Sequence, residues 1–168
     1  IIVAIERIAK RTGTVATVGR VRAFPGGVNV VPGVARFSLD LRAETDAARD
    51  AAFDEIAAVA DDVCAERGLA FETEEFYRAD AAVCDPGLRA AVEAGIRATG
   101  DDEPMVLWSR AGHDGMAVQD VTGFAMLFLR CGADGISHHP DETVTAADTA
   151  IALDAFEAAV RALAAARA

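Results

Sequence analysis

The chain has 168 residues, 52% of them hydrophobic, which is enough for one ordinary domain or two small ones with packed cores. Its formal net charge of −11 argues against nucleic-acid binding, because an acidic surface repels phosphate. Its three cysteines lack metal-motif spacing and no apolar run approaches the roughly 18 residues of a membrane span, which predicts a cytoplasmic protein that binds no membrane.

The first part of the chain has the pattern of an α+β unit. Phe37, Leu39 and Leu41 alternate with polar residues, as in a sheet with one buried and one polar face. This order of elements matches a ferredoxin-like unit without its first strand. Because the chain opens without Met and already in a helical pattern, we expect a piece of a longer protein. The predicted elements are a helix over 1–11, strands over 14–24 and 34–42, a helix from Thr45 to Gly68, and a strand over 69–77.

The second part of the chain has a different pattern, which predicts an α/β arrangement. The continuous apolar runs at 104–109 and 124–129 are typical of buried strands in a helix-covered sheet. A helix is predicted from Asp85 to Gly100, and a short helix begins within GHDGMAVQD. A final helix begins after Thr145, and its predicted inward residues are Ile151, Phe156, Val160 and Leu163.

Two polar side chains in the first part stand where a ligand could be held. Arg42 ends a strand on its polar face, where a guanidinium can bind a carboxylate through two parallel hydrogen bonds. The alternative is a solvated arginine paired with Asp40 or Glu44. Asn29 lies between two valines, and because asparagine is depleted in strands it is expected to serve a turn or a ligand.

The segment DGISHHPDE at 134–142 holds two of the three histidines, His138 and His139. A neutral imidazole is a good zinc ligand, and Asp141 or Glu142 could orient it. The alternative is a surface loop that contains two histidines, since adjacent histidines rarely ligate one metal together.

The third histidine, His113, stands beside Asp114 and allows two interpretations as well. It is either an imidazole oriented by a carboxylate or part of a capped helix start. A catalytic zinc usually requires three protein ligands and a water molecule, and the spacings provide one or two nitrogen ligands at most. This chain is therefore not expected to complete a metal site.

Three motifs occur in order: TVGRVRAFPGGVNVVPGVARFSLDLR at 17–42, SRAGHDG at 109–115 and GISHHPDETV at 135–144. Together they resemble the metal-dependent amidohydrolases of the zinc aminoacylase/carboxypeptidase superfamily. The most similar branch comprises N-carbamoyl-L-amino-acid hydrolases, allantoate amidohydrolases and β-alanine synthases. The resemblance covers essentially the whole chain.

The resemblance implies an architecture. Residues 1–77 would be an incomplete ferredoxin-like lid and dimerisation domain, and 78–168 the C-terminal part of an α/β zinc-exopeptidase-like catalytic domain. The lid implies a homodimer. Most metal ligands and the water-activating glutamate would lie upstream, so the resemblance implies no catalytic residue in this chain and no activity of the chain alone.

The resemblance also implies residue roles. His138 matches the family's final metal ligand, whereas His139 falls at a variable position. The metal would be zinc in a two-metal site, with manganese or cobalt as alternatives. The family usually has glycine where Arg110 stands and alanine where Gly115 stands, so the pocket shape that the resemblance implies does not carry over at these two positions. The residues that match positions binding the substrate, or lining its pocket, are Asn29, Arg42, Gly112 and His113.

The implied activity is hydrolysis of a non-peptide C–N bond in an N-carbamoyl amino acid or an allantoate-like ureido carboxylate. One alternative is an aminoacylase or dipeptidase of the same superfamily. Another is a non-catalytic piece that dimerises and binds a ligand. A metal-binding histidine and an acidic pair in upstream sequence would favour the enzyme.

Overall fold

A computed structural model describes residues 1–136 and 139–166, and the chain separates into two compact units. The first unit comprises Ile1–Ala81 with Trp108–Gly112, and the second comprises Ala82–Leu107 with His113–Ala168. Both helices and strands are present, as the predicted α/β class requires. The assignment of 1–77 to a lid and of 78–168 to a catalytic domain stays a prediction, because compactness does not identify what a unit does.

The first unit consists of a bent antiparallel ribbon and two helices. The predicted helices are confirmed, and the Thr45 side chain caps the second one by accepting a 3.2 Å bond from the Ala48 N–H. Gly13 follows the first helix with φ of 72°, a left-handed conformation that favours glycine. The elements are α1 (Ile2–Thr12), β1 (Val15–Thr17), β2 (Val21–Phe24), β3 (Val34–Phe37), β4 (Asp40–Arg42) and α2 (Asp46–Glu66).

The two long strands predicted from the sequence are each interrupted at the same place. Val15–Thr17 pair with Asp40–Arg42, and beyond the interruption Val21–Phe24 pair with Val34–Phe37. Between these pairings three residues of the first strand, 18–20, oppose two of the second, 38–39. One extra residue on one strand is the feature that defines a β-bulge, and a β-bulge bends the strand that carries it. The Ser38 hydroxyl replaces a ladder acceptor by taking a 3.1 Å bond from the Arg20 N–H.

The core of the first unit lies between the ribbon and the helices. Ile5 and Ile8 of α1 are buried against Ala52 and Ile56 of α2. The ribbon contributes its apolar face, which is the alternation predicted from the sequence, through Phe37, Leu39 and Leu41. Burying each such isoleucine contributes about 1.5–3 kcal/mol, so this cluster supports the ribbon end that carries Arg42.

The predicted strand over 69–77 is wrong. Within the described part of the chain no strand pairs with this segment, and Phe76 and Tyr77 are 76% and 74% exposed. A strand needs a neighbour that takes up its backbone bonds, and apolar β-rich composition does not supply one. Side chains hold the end of the segment instead: Arg78 bonds to Glu75 and, at 3.0 Å, to Asp50 of α2.

The second unit is built on α3 and α5. The predicted helix starts are confirmed, and side chains cap both helices: Asp85 accepts from the Leu88 N–H at 2.9 Å, and Thr145 from the Asp148 N–H at 3.0 Å. The predicted short helix is also present. The helices are α3 (Pro86–Ala98), α4 (Gly115–Val118) and α5 (Ala146–Ala165), with a 3₁₀ turn at Ala133–Gly135. Among the described residues no helix is both long and apolar enough to cross a membrane.

The predicted buried face of α5 is wrong. Ile151, Phe156 and Val160 are exposed and Leu163 is only half-buried, whereas Ala155 and Ala159 are buried. The reason is shape. Gly95 of α3 lies so close to α5 that an added Cβ would be 2.2 Å from the Ala155 carbonyl oxygen. Small residues let two helices approach more closely than branched ones do, so the small-residue stripe faces α3.

The buried strands predicted at 104–109 and 124–129 are also wrong. Neither run belongs to a strand, and Met105, Val106 and Phe128 are 79%, 64% and 48% exposed. A continuous apolar run indicates that a segment can be buried, but a strand forms only beside a paired neighbour. The described residues supply one backbone bond here, from the Asp85 N–H to the Phe124 carbonyl at 2.8 Å.

Candidate functional site

Arg42 stands at the end of β4, with its side chain 46% exposed. Its Nε and Nη2 donate to the two carboxylate oxygens of Asp40 at 2.7 and 2.9 Å. The two residues are two apart in a strand, so both lie on the ribbon's polar face. The alternative of a pairing with Asp40 is therefore what the structure shows, and Glu44 is not the partner. The carboxylate-anchor role of Arg42 stays a prediction.

The Asp40–Arg42 pair changes the proton affinity of both groups. The side-chain hydrogen bond from Arg42 holds the pKa of Asp40 below its ordinary value. The same bond raises the pKa of Arg42. Asp40 therefore stays ionised at neutral pH and cancels the charge of Arg42, although the pairing does not occupy the whole guanidinium.

The third contact of Arg42 reaches the loop Trp108–Gly112, which belongs to the first unit. Nη1 donates to the Arg110 carbonyl oxygen at 3.1 Å. A guanidinium carries five N–H donors, and these contacts engage three of them. Sequence patterns gave no signal for this contact, because 68 residues separate Arg42 from Arg110.

The same loop carries a second arginine side chain. The Arg110 guanidinium lies 5.8 Å from the centroid of the Trp108 ring, within cation–π range. The Ser109 hydroxyl donates to the Ala111 carbonyl at 2.8 Å, which closes a local turn. Gly112, a predicted pocket residue, follows directly and is exposed.

Asn29 lies in a turn and not in a strand, which is one of the two roles expected from the sequence. It belongs to the loop between β2 and β3, where the Val30 N–H bonds to the Gly27 carbonyl at 3.3 Å. Its side chain is exposed. Its predicted contact with a substrate carboxylate stays a prediction.

His113 precedes α4 in the second unit and is partly buried. Its Nδ1 accepts a 3.1 Å bond from the Gly115 N–H, and its ring lies 5.8 Å from that of Phe124. In the neutral ring the proton is therefore on Nε2, which can donate a hydrogen bond. An added Cβ at Gly115 would be 2.6 Å from Phe124 Cε2 and 2.7 Å from His113 Nδ1, so an alanine here would require one of these rings to shift.

An open cavity of about 430 Å³ adjoins this histidine. His113, Asp114 and Gly115 form one side, and Phe124 and Met126 form the other. The wall is mostly apolar, with the His113 imidazole on one side, and the cavity is widely open to solvent. The sequence identified His113, whereas the Phe124 contact had no sequence signal beyond an apolar run.

The predicted metal ligand His138 lies outside the described residues. Its neighbour His139 is described: Nδ1 accepts a 3.2 Å bond from the Asp141 N–H, and the side chain is 49% exposed. The Glu142 N–H bonds to the His139 carbonyl at 3.0 Å, so the segment turns back on itself.

A metal site requires several donors in one place, and the residues at 1–136 and 139–166 form no group of three or more His, Cys, Asp or Glu side chains with that arrangement. The described residues therefore do not make a complete site for a catalytic metal ion.

The chain matches the model of Peptidase family M20/M25/M40 over residues 5–162. It is 37% identical over 152 residues to an N-carbamoyl-L-amino acid amidohydrolase of Geobacillus stearothermophilus, covering 90% of this chain and 37% of that protein. It is 40% identical over 137 residues to an allantoate deiminase of Arabidopsis thaliana, covering 77% of this chain and 26% of that protein. A crystal structure of an amidase of the hydantoinase/carbamoylase family from Burkholderia multivorans superposes with a TM-score of 0.78 at 26% identity, covering 94% of this chain and 39% of that one. The chain thus spans well under half the length of each.

Proposed function

The chain belongs to peptidase family M20/M25/M40, and from that premise we propose that it is part of an amidohydrolase that cleaves a non-peptide C–N bond in a ureido carboxylate. N-carbamoyl amino acids and allantoate-like compounds are the proposed substrates. The observation that carries the proposal is the 37–40% identity to an N-carbamoyl-L-amino acid amidohydrolase and an allantoate deiminase. Both names denote C–N hydrolysis outside a peptide bond.

The proposed roles of the residues follow from their chemistry. Arg42 would hold the substrate carboxylate with the N–H donors that Asp40 and Arg110 leave unused. His113 would donate from Nε2, since its Nδ1 is taken by the Gly115 N–H. Asn29 and Gly112 would complete the contacts. A fixed carboxylate sets the distance from the anchor to the scissile bond, which lowers the entropic cost of reaction.

We propose a metal requirement because the chain belongs to this family. Members of this family depend in general on divalent metal ions. We propose zinc as the metal and His138 as one ligand. Because metals serve such hydrolases by polarising a carbonyl and activating water, a chain without a complete ligand set should show no turnover by itself.

The assembly and compartment belong to the proposal as well. A homodimer through the first unit is proposed, with light scattering of the full-length protein as the test. A cytoplasmic location is proposed because the cysteines, Cys64, Cys84 and Cys131, are free thiols.

The function is tested by ammonia release from N-carbamoyl-L-amino acids and from allantoate, using the full-length protein with metal supplied. Ammonia release with either substrate class supports the proposal. Faster hydrolysis of N-acetyl amino acids or dipeptides would instead favour an aminoacylase or dipeptidase. No hydrolysis of any of these substrates, with metal bound, would favour a non-catalytic role.

The metal assignment is tested by a matched pair of neighbours. His138→Ala in the full-length protein should lose one metal ion and most activity, as measured by metal analysis and ammonia release. His139→Ala should lose neither, since its imidazole accepts from the Asp141 N–H. Equal metal loss in both variants would refute the assignment.

A further inference from the structure

The charge around Arg42 is the starting point. Asp40 takes two N–H donors of Arg42 and carries the opposite charge, so the pair is neutral overall. A carboxylate that binds the free end of Arg42 would place a second negative charge on one guanidinium. That complex would carry an excess negative charge unless another cation lies close by.

Arg110, whose backbone contacts Arg42, carries a cation that is a candidate for this role. Its carbonyl oxygen is 3.1 Å from Arg42 Nη1, so its backbone is fixed beside that guanidinium. Its own guanidinium is exposed and lies 5.8 Å from the Trp108 ring centroid. In the part of the chain that the structure describes, no carboxylate forms an ion pair with it. Among the described residues, the positive charge of Arg110 is therefore not compensated by a carboxylate.

We propose that Arg110 is a second carboxylate-binding residue, which acts with Arg42 on the substrate carboxylate and balances the charge that Asp40 removes. This inference rests on the proposed function. With substrate bound, Asp40 and the substrate carboxylate provide two negative charges, and Arg42 and Arg110 provide two positive charges. Trp108 limits the freedom of the Arg110 side chain, which reduces the entropy lost on binding.

The test compares a charged substrate with an isosteric neutral one in the full-length protein. An N-carbamoyl amino acid and its carboxamide differ only in the carboxylate. Arg110→Ala should lower kcat/KM about tenfold or more for the acid and change it little for the amide, because a hydrogen bond to a charged group is lost only with the acid. Arg110→Lys keeps the charge and should retain most of kcat/KM for the acid.

Arg36→Ala is the matched control. Arg36 belongs to the same unit, is exposed, and lies 5.7 Å from the centroid of the Phe24 ring, so the change removes the same charge from a similar cation–π contact. It should leave kcat/KM unchanged for both substrates. An effect of Arg36→Ala as large as that of Arg110→Ala would show only a general charge effect and would overturn the inference.

A charge-restoring variant gives the second readout. Asp40→Asn frees the charge of Arg42, so adding it to Arg110→Ala should recover most of the lost kcat/KM for the acid. No recovery, or equal losses for acid and amide with Arg110→Ala, would overturn the inference. A full-length wild-type protein that releases no ammonia would contradict the proposed function itself, whereas an active wild type with an unaffected Arg110→Ala contradicts this inference alone.

Discussion

Gly95 is the position where a single methyl group should damage the second unit most directly. In Gly95→Ala the new Cβ would lie 2.2 Å from the Ala155 carbonyl oxygen, 3.0 Å from the Ala159 nitrogen and 3.1 Å from the Ala159 Cβ. The closest obstacle is helix backbone, which cannot rotate away as a side chain can. The helices α3 and α5 must therefore separate, and their other contacts weaken.

Two terms of opposite sign set the magnitude for Gly95→Ala. Overpacking a close-packed interface costs about 1–3 kcal/mol, and a backbone obstacle argues for the upper end. Alanine is favoured over glycine inside a helix by about 1 kcal/mol. The variant should therefore lower the free energy of unfolding by about 2 kcal/mol.

Urea denaturation followed by circular dichroism measures this difference. The matched control is Gly87→Ala in the first turn of the same helix, where the added Cβ meets only the Asp85 side chain at 3.2 Å. That change should be neutral or stabilise by up to about 1 kcal/mol. Adding Ala159→Gly to Gly95→Ala should not restore stability, because the Ala155 carbonyl remains. Equal stabilities of the two alanine variants would refute the close helix contact at Gly95.

Two other predictions concern the first unit. Arg42→Lys should change the free energy of unfolding by no more than about 1 kcal/mol, since the pair of Arg42 with Asp40 is half exposed. It should lower kcat/KM for carboxylate substrates by the equivalent of about 2–5 kcal/mol, because lysine cannot bind a carboxylate through two parallel hydrogen bonds. A variant with the kcat/KM of the wild type would contradict the anchor role. The hydrogen bond from Arg49, and then that from Arg78, lowers the pKa of Asp50, and the bond from Arg78 lowers the pKa of Glu75. The stabilising effect of Arg78 is therefore present above the unfolded pKa values of these carboxyls and is lost as the pH falls through the lower folded values. The stability difference between wild type and Arg78→Gln, measured by thermal melts across pH, should therefore shrink on acidification, and a difference that grows would contradict the ion pairs.

The helix ends were predictable because local residues determine them. Thr45, Asp85 and Thr145 each accept a bond from the N–H three residues later, and this depends only on neighbours in sequence. Strands depend on partners distant in sequence. The sequence of one segment does not show which other segment will pair with it. The bulge opposite Ser38 and the absence of strands at 104–109 and 124–129 could therefore not be predicted from those segments alone.

The buried face of α5 shows a different limit. A helical pattern identifies apolar positions, but in a mostly apolar helix such as α5 more than one face qualifies. What selects the face is the shape of the partner. Gly95 brings α3 so close to the backbone at Ala155 and Ala159 that small residues of α5 face it. Side-chain volume at the contact with α3, and not hydropathy, therefore decides which face of α5 is buried. The sequence of α5 alone does not contain that information.

The sequence offered two alternative roles for Arg42, pairing with Asp40 and binding a substrate carboxylate, and the geometry is compatible with both. A pairing with Asp40 and a substrate contact were alternatives because both need the guanidinium. The pairing takes Nε and Nη2, and the Arg110 carbonyl takes one N–H of Nη1, so N–H donors remain for a carboxylate. Asp40 neutralises the charge of Arg42 but leaves some of its N–H donors free. An arginine of this kind can orient a carboxylate without attracting it strongly, and the attraction must come from a cation that Asp40 does not neutralise. Arg110, whose carbonyl oxygen accepts a bond from Arg42, is the residue that we propose for that attraction.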